Sequence, residues 1–110
     1  MKTIFTDLIS GHDFDSQLDR YFSNLSSTDI DYLYAYSKPG DNPCLIIDFD
    51  NCIQVSRITL WESGECDIEA IALAGSTKVI GETSELKTIG EFEDKLLSLI
   101  EYMKRTQTIH

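Results

Sequence analysis

The spacing of apolar residues along this chain changes period twice, and each change marks a change of element. Ile4, Phe5, Leu8 and Ile9 recur at helical spacing up to Gly11, which predicts a short N-terminal helix or turn. A clearer helix follows, capped by Asp13 or Asp15, in which Phe14, Leu18, Tyr21, Phe22 and Leu25 make the stripe that one buried helix face requires. The polar run from Ser23 to Thr28 ends it. From Ile30 to Tyr36 the period becomes two, with Ile30, Tyr32, Tyr34 and Tyr36 on one side of a strand and Leu33 and Ala35 on the other.

Turn formers then divide four more strand-like runs. Lys38-Pro39-Gly40-Asp41-Asn42-Pro43 precedes a second strand from about Cys44 to Phe49, and Asp50-Asn51 precedes a third from about Cys52 to Trp61. Glu62-Ser63-Gly64-Glu65 reads as a hairpin turn, because Gly64 can take a positive φ at no steric cost. The fourth strand spans about Cys66 to Leu73, and after Gly75-Ser76 a short fifth covers Thr77 to Glu82. Thr88 and Glu91 have the spacing of a capping box, and Phe92, Leu96, Leu99, Ile100 and Met103 form the apolar stripe of a last helix. The expected class is α+β: one domain over residues 1–110, an antiparallel five-stranded β-meander flanked by N-terminal and C-terminal amphipathic helices.

Charge narrows the function. Nineteen Asp and Glu against nine Lys and Arg give a formal net charge of −10 and a pI near 4.4. A field of that sign repels phosphate, which argues against direct binding to nucleic acid or to an anionic membrane and makes a basic protein the natural partner. The same balance also serves plain solubility. There is no charged start followed by an apolar run, and no apolar stretch near the ~20 residues of a membrane span, so a cytoplasmic protein is expected. Cys44, Cys52 and Cys66 lack any CxxC pair, which suggests reduced, packed thiols.

The chain is poor in chemistry. Its only histidines are His12, in an expected loop, and His110, at the end, and neither suits a positioned general base. No His or Cys ligand pair has zinc spacing. Asp48, Asp50 and Asn51 lack the calcium-loop pattern and read as turn residues, and no phosphate-binding glycine motif occurs. No catalytic residue, cofactor or metal is expected, and the chain reads as a binder.

Three features can carry that binding. Glu62, Glu65, Asp67 and Glu69 on the hairpin, with Asp48 and Asp50 on the neighbouring turn, form a negative patch, or else a solvated strand face with no partner. Tyr32, Tyr34 and Tyr36 offer interface-type contact area, or pack under a helix. Trp61 is a binding anchor or a lid on the core, and its parity with Ile53 and Val55 favours the core. Arg57, on that parity, is placed to pair with Asp67 or Glu69.

The segment Arg57-Ile58-Thr59-Leu60-Trp61-Glu62-Ser63-Gly64-Glu65-Cys66-Asp67-Ile68-Glu69 resembles the TriTu-type immunity proteins of bacterial polymorphic toxin and contact-dependent growth inhibition systems. The resemblance covers roughly residues 53–73 and continues more loosely after Phe92, while the first forty residues match poorly. It implies an inhibitor that silences one cognate toxin domain, the C-terminal region of a large secreted effector. Joined to the acidic balance, it points to a cationic nuclease as target. An alternative is an acidic nucleic-acid mimic or adaptor that binds several basic host proteins, and a cysteine-dependent small enzyme is a third reading.

Overall fold

In a computed structural model, residues 3, 5–23, 25, 28–37 and 43–107 are described. The predicted element order is present: α1 (Thr6–Ser10), α2 (Asp15–Ser23), β1 (Asp31–Ser37), β2 (Cys44–Asp50), β3 (Gln54–Trp61), β4 (Glu65–Ala72), β5 (Thr77–Glu85) and α3 (Ile89–Gln107), with one 3-10 turn at Ala74–Ser76. The strands pair antiparallel in chain order, β1-β2-β3-β4-β5, as short connections require. The class is α+β. β5 runs three residues past the expected Glu82, because Thr83, Ser84 and Glu85 still pair with Asp67, Cys66 and Glu65. A bulge at Ala70/Ile71 interrupts that last pairing.

Alternation decides what each strand buries. Leu45, Ile47 and Phe49 of β2, Ile58 and Leu60 of β3, and Cys66 and Ile68 of β4 share one buried cluster with the helical residues Ile9, Leu18 and Phe22, and with Phe92, Leu96, Leu99, Ile100 and Met103. All three helices therefore cover the same face of the sheet. Each fully buried Leu, Ile or Phe there contributes about 1.5–3 kcal/mol relative to leaving it in water. The Thr88 capping box forms as expected: the Glu91 amide donates to Thr88 Oγ1 at 3.1 Å, and Glu91 Oε1 accepts from the amides of Thr88 and Lys87 at 2.9 and 2.8 Å.

Two turns lock the sheet to the rest. At the β2–β3 turn Asn51 is buried, its Oδ1 accepting from the amides of Ile53 and Gln54 and its Nδ2 donating to Met103 O and Thr106 Oγ1 near the end of α3. At the β3–β4 turn Gly64 takes φ +96°, and an added Cβ would lie 2.7 Å from the Leu86 carbonyl oxygen and 3.5 Å from the Phe5 ring. The Leu86 amide donates to the Gly64 carbonyl at 2.8 Å.

Candidate functional site

With the helices on one side, the other face of the sheet has no covering element among the described residues. The side chains on it follow from parity and register. One row across the strands is Leu33, Asp48, Arg57, Glu69 and Gly81, and the next toward one end is Asp31, Asp50, Val55, Ile71 and Lys78. Toward the other end lie Ala35, Ile46, Thr59, Asp67 and Thr83, then Ser37, Cys44 and Trp61, with Glu65 paired to Glu85. This face is apolar and acidic together.

Its geometry is not flat. A concavity of about 500 Å³ lies over the first two rows, lined by Asp31, Leu33, Asp48, Asp50, Val55, Arg57, Glu69 and Ile71, with Tyr32, Phe49 and Ser56 of the intervening positions also bordering it. Leu33 is 70% exposed, the highest value among the exposed large apolar side chains of the described residues. Arg57 is held by Asp48 in a two-point contact, Nε to Oδ1 at 2.7 Å and Nη2 to Oδ2 at 3.1 Å. That hydrogen-bonded carboxylate raises the guanidinium pKa above its ordinary value, with Glu69 adding a smaller push. Lys78 Nζ stands 3.7 Å from Glu69 at the rim, and Asp50 Oδ1 accepts from the Cys52 amide at 2.8 Å.

Other predicted residues sit elsewhere, and for identifiable reasons. Glu62, expected on the displayed patch, is instead 9% exposed. The turn that carries it is packed against the N-terminal segment: Thr3 Oγ1 donates to the Glu62 carbonyl, and the Glu62 amide donates to the Pro43 carbonyl at 2.8 Å. Glu65, Asp67 and Glu69 do lie on the open face, Asp67 half-buried. Arg57 takes Asp48 across β2 rather than Asp67 or Glu69 across the hairpin. Trp61 lies on the open face, half-buried and opposite Cys44, because its parity is that of Arg57 while Ile58 and Leu60 point into the core.

Tyr32, Tyr34 and Tyr36 take the helix side. The Tyr32 ring stacks on Phe22 at 4.2 Å, Tyr36 stacks on His12 at 3.9 Å, and Tyr36 OH donates to Asp15 Oδ1 at 2.8 Å. Burial and that carboxylate push the Tyr36 phenol well up from its usual range. Of the thiols, Cys44 and Cys66 are buried but Cys52 is exposed, in the β2–β3 turn at φ +71°. Burial pushes the Cys66 thiol up to about 12. Among the described residues no group of three or more His, Cys, Asp or Glu is placed to hold a metal ion.

A family model described as "Immunity protein TriTu" matches residues 12–102. The chain belongs to this family. No curated protein matches it. The TriTu match begins just before α2 and ends within α3, so it takes in all five strands and extends well beyond the residues 53–73 that carry the signature in the sequence. A TriTu immunity protein implies a cognate toxin as partner. No helix among the described residues is long and apolar enough to cross a membrane.

What the sequence did not single out on this face is its apolar part: Leu33, Ile46 and Ile71, together with Asp31. Parity separated Leu33 from the tyrosines. Only the register, which sets Leu33 against Asp48 and Asp48 against Arg57, shows that these residues share the open side.

Proposed function

We propose that this protein binds and neutralises one cognate toxin domain, carried at the C-terminal end of a large secreted effector of a contact-dependent inhibition system, and that it does so in the cytoplasm through the acidic open face of its sheet. The observation that carries the reading is the placement of Asp48, Asp50, Glu65, Asp67 and Glu69 on the side of the sheet that the helices leave uncovered. A toxin that cleaves nucleic acid needs a basic cleft for phosphate, and a row of carboxylates is the complement of such a cleft. The favoured target is therefore a cationic nuclease. The chain acts as a stoichiometric binder, not as an enzyme.

The test mixes the purified toxin domain with total cellular RNA and DNA, with and without one equivalent of this protein. Loss of nucleic-acid degradation at one equivalent, and its return when Glu65 and Glu69 are reversed to Lys, are the expected results. A toxin that leaves both nucleic acids intact would remove the nuclease assignment. Inhibition untouched by the double reversal and by salt would remove the electrostatic contact. The net charge of −10 also suits an acidic adaptor; that reading requires similar, salt-sensitive affinities for several unrelated basic proteins, where an immunity protein discriminates by orders of magnitude.

A further inference from the structure

The open face is not uniformly suited to a partner, and its concave end carries a more specific chemistry than negative charge. Four carboxylates, on Asp31, Asp48, Asp50 and Glu69, line the 500 Å³ concavity against one guanidinium. That guanidinium is already engaged, both of its contacts going to Asp48. Lys78 reaches Glu69 only from the rim, with both side chains more than half exposed. Among the described residues, no cationic side chain is paired in the same way with Asp31 or Asp50, at the β1–β2 end of the cavity.

The floor and wall are aliphatic: Leu33, Val55 and Ile71 lie in register beside these carboxylates. A large apolar side chain held 70% exposed, opposite Asp48 and two residues from Asp31 on the same strand face, is costly to hydrate on one side and repels nothing cationic on the other. The matching ligand has an aliphatic stem and a cationic head, as Arg and Lys do, since such side chains lay their methylenes on apolar surface while the charge meets the carboxylates.

We infer that this concavity is the anchor site for an arginine or lysine side chain projecting from a basic segment of the partner protein, its stem on Leu33 and its head between Asp31 and Asp50. The inference rests on the toxin-binding reading above and adds where the contact is centred and what fills it. A second copy of this chain suits the site less well, because each copy would bring a further formal charge of −10 to it.

The test titrates the toxin domain encoded beside this chain with four full-length proteins: wild type, the double variant Asp31→Asn/Asp50→Asn, Leu33→Ser, and the control Asp94→Asn/Glu101→Gln. The control removes the same two charges from exposed positions of α3, on the opposite side of the molecule. Asp50→Asn keeps the oxygen that accepts from the Cys52 amide, and thermal melts verify that each variant is folded.

The expected result is a loss of at least about tenfold in affinity for the cavity double variant and for Leu33→Ser, with the control within about twofold of wild type. The loss should be carried mainly by faster dissociation in both variants, since each removes a contact made in the complex. Equal losses in the cavity variant and the control would overturn the anchor in favour of net charge alone. Wild-type affinity in all variants, with the toxin still silenced, would overturn the anchor while leaving the immunity reading standing. Failure of the wild type to bind would remove both. Sedimentation of the free proteins covers the remaining occupant: a wild-type dimer that Leu33→Ser dissociates, with toxin affinity unchanged, would assign the face to a second copy and overturn the inference.

Discussion

Single residues fix this fold at its turns, where one side chain or one missing side chain serves several elements. Asn51 uses both ends of its amide, shaping the β2–β3 turn with the oxygen and holding α3 with the nitrogen. Asn51→Ala should cost about 2–4 kcal/mol in urea unfolding, because it leaves buried backbone groups without partners. Gly64→Ala should cost at least about 1 kcal/mol, since φ +96° and the Leu86 oxygen 2.7 Å away oppose any Cβ. Glu91 has its pKa lowered, first by the Lys87 amide and then by Thr88. Its folded value lies below its unfolded one, so the stabilisation is present at neutral pH and is lost as pH falls through the folded value. The Tm difference between wild type and Glu91→Gln should therefore be open at pH 7 and close in acid. The thiols divide by burial: a thiol reagent at pH 8 should modify exposed Cys52 rapidly in the native protein, and Cys44 and Cys66 only after denaturation.

At the scale of elements, the two faces of the sheet answer differently to the same kind of change. Truncating Leu96, fully buried between α3 and the sheet, should cost about 2–5 kcal/mol. Leu33→Ser on the open face should change stability by less than about 0.5 kcal/mol, and equilibrium denaturation of the pair checks both figures. Periodicity made the elements themselves legible, down to the capping box of α3, because local patterning and side-chain spacing decide them. The face each strand turns to the helices was less legible. In β3 the residues Val55, Thr59 and Trp61 are as apolar in outline as Ile58 and Leu60, and only the charge on Arg57 marks their side as the open one. Burial of Glu62 depends on Thr3, fifty-nine positions away, which no local pattern contains. The side that Asp67 and Glu69 take was legible because strict alternation in β4 sets them against Cys66, Ile68 and Ala70, whereas Glu65, read as part of the turn, is the first residue of the strand. Their apolar neighbours on β1 and β2 needed the sheet register.

Over the whole molecule, the helices complete the core on one side and leave on the other a concave acidic face, within a fold that belongs to the TriTu immunity family. Charges on such a face act over about 8 Å at physiological ionic strength, so they speed encounter with a basic partner and lose that effect as salt rises. The most direct test is a calorimetric titration of the protein into its proposed target, the C-terminal toxin domain of a secreted effector, repeated at rising salt, with toxin activity assayed on the same samples. One-to-one binding at nanomolar affinity or tighter, silencing of the toxin at equivalence, and affinity that weakens as salt increases are the expected results. Absence of binding, with the toxin fully active in the presence of excess protein, would contradict it.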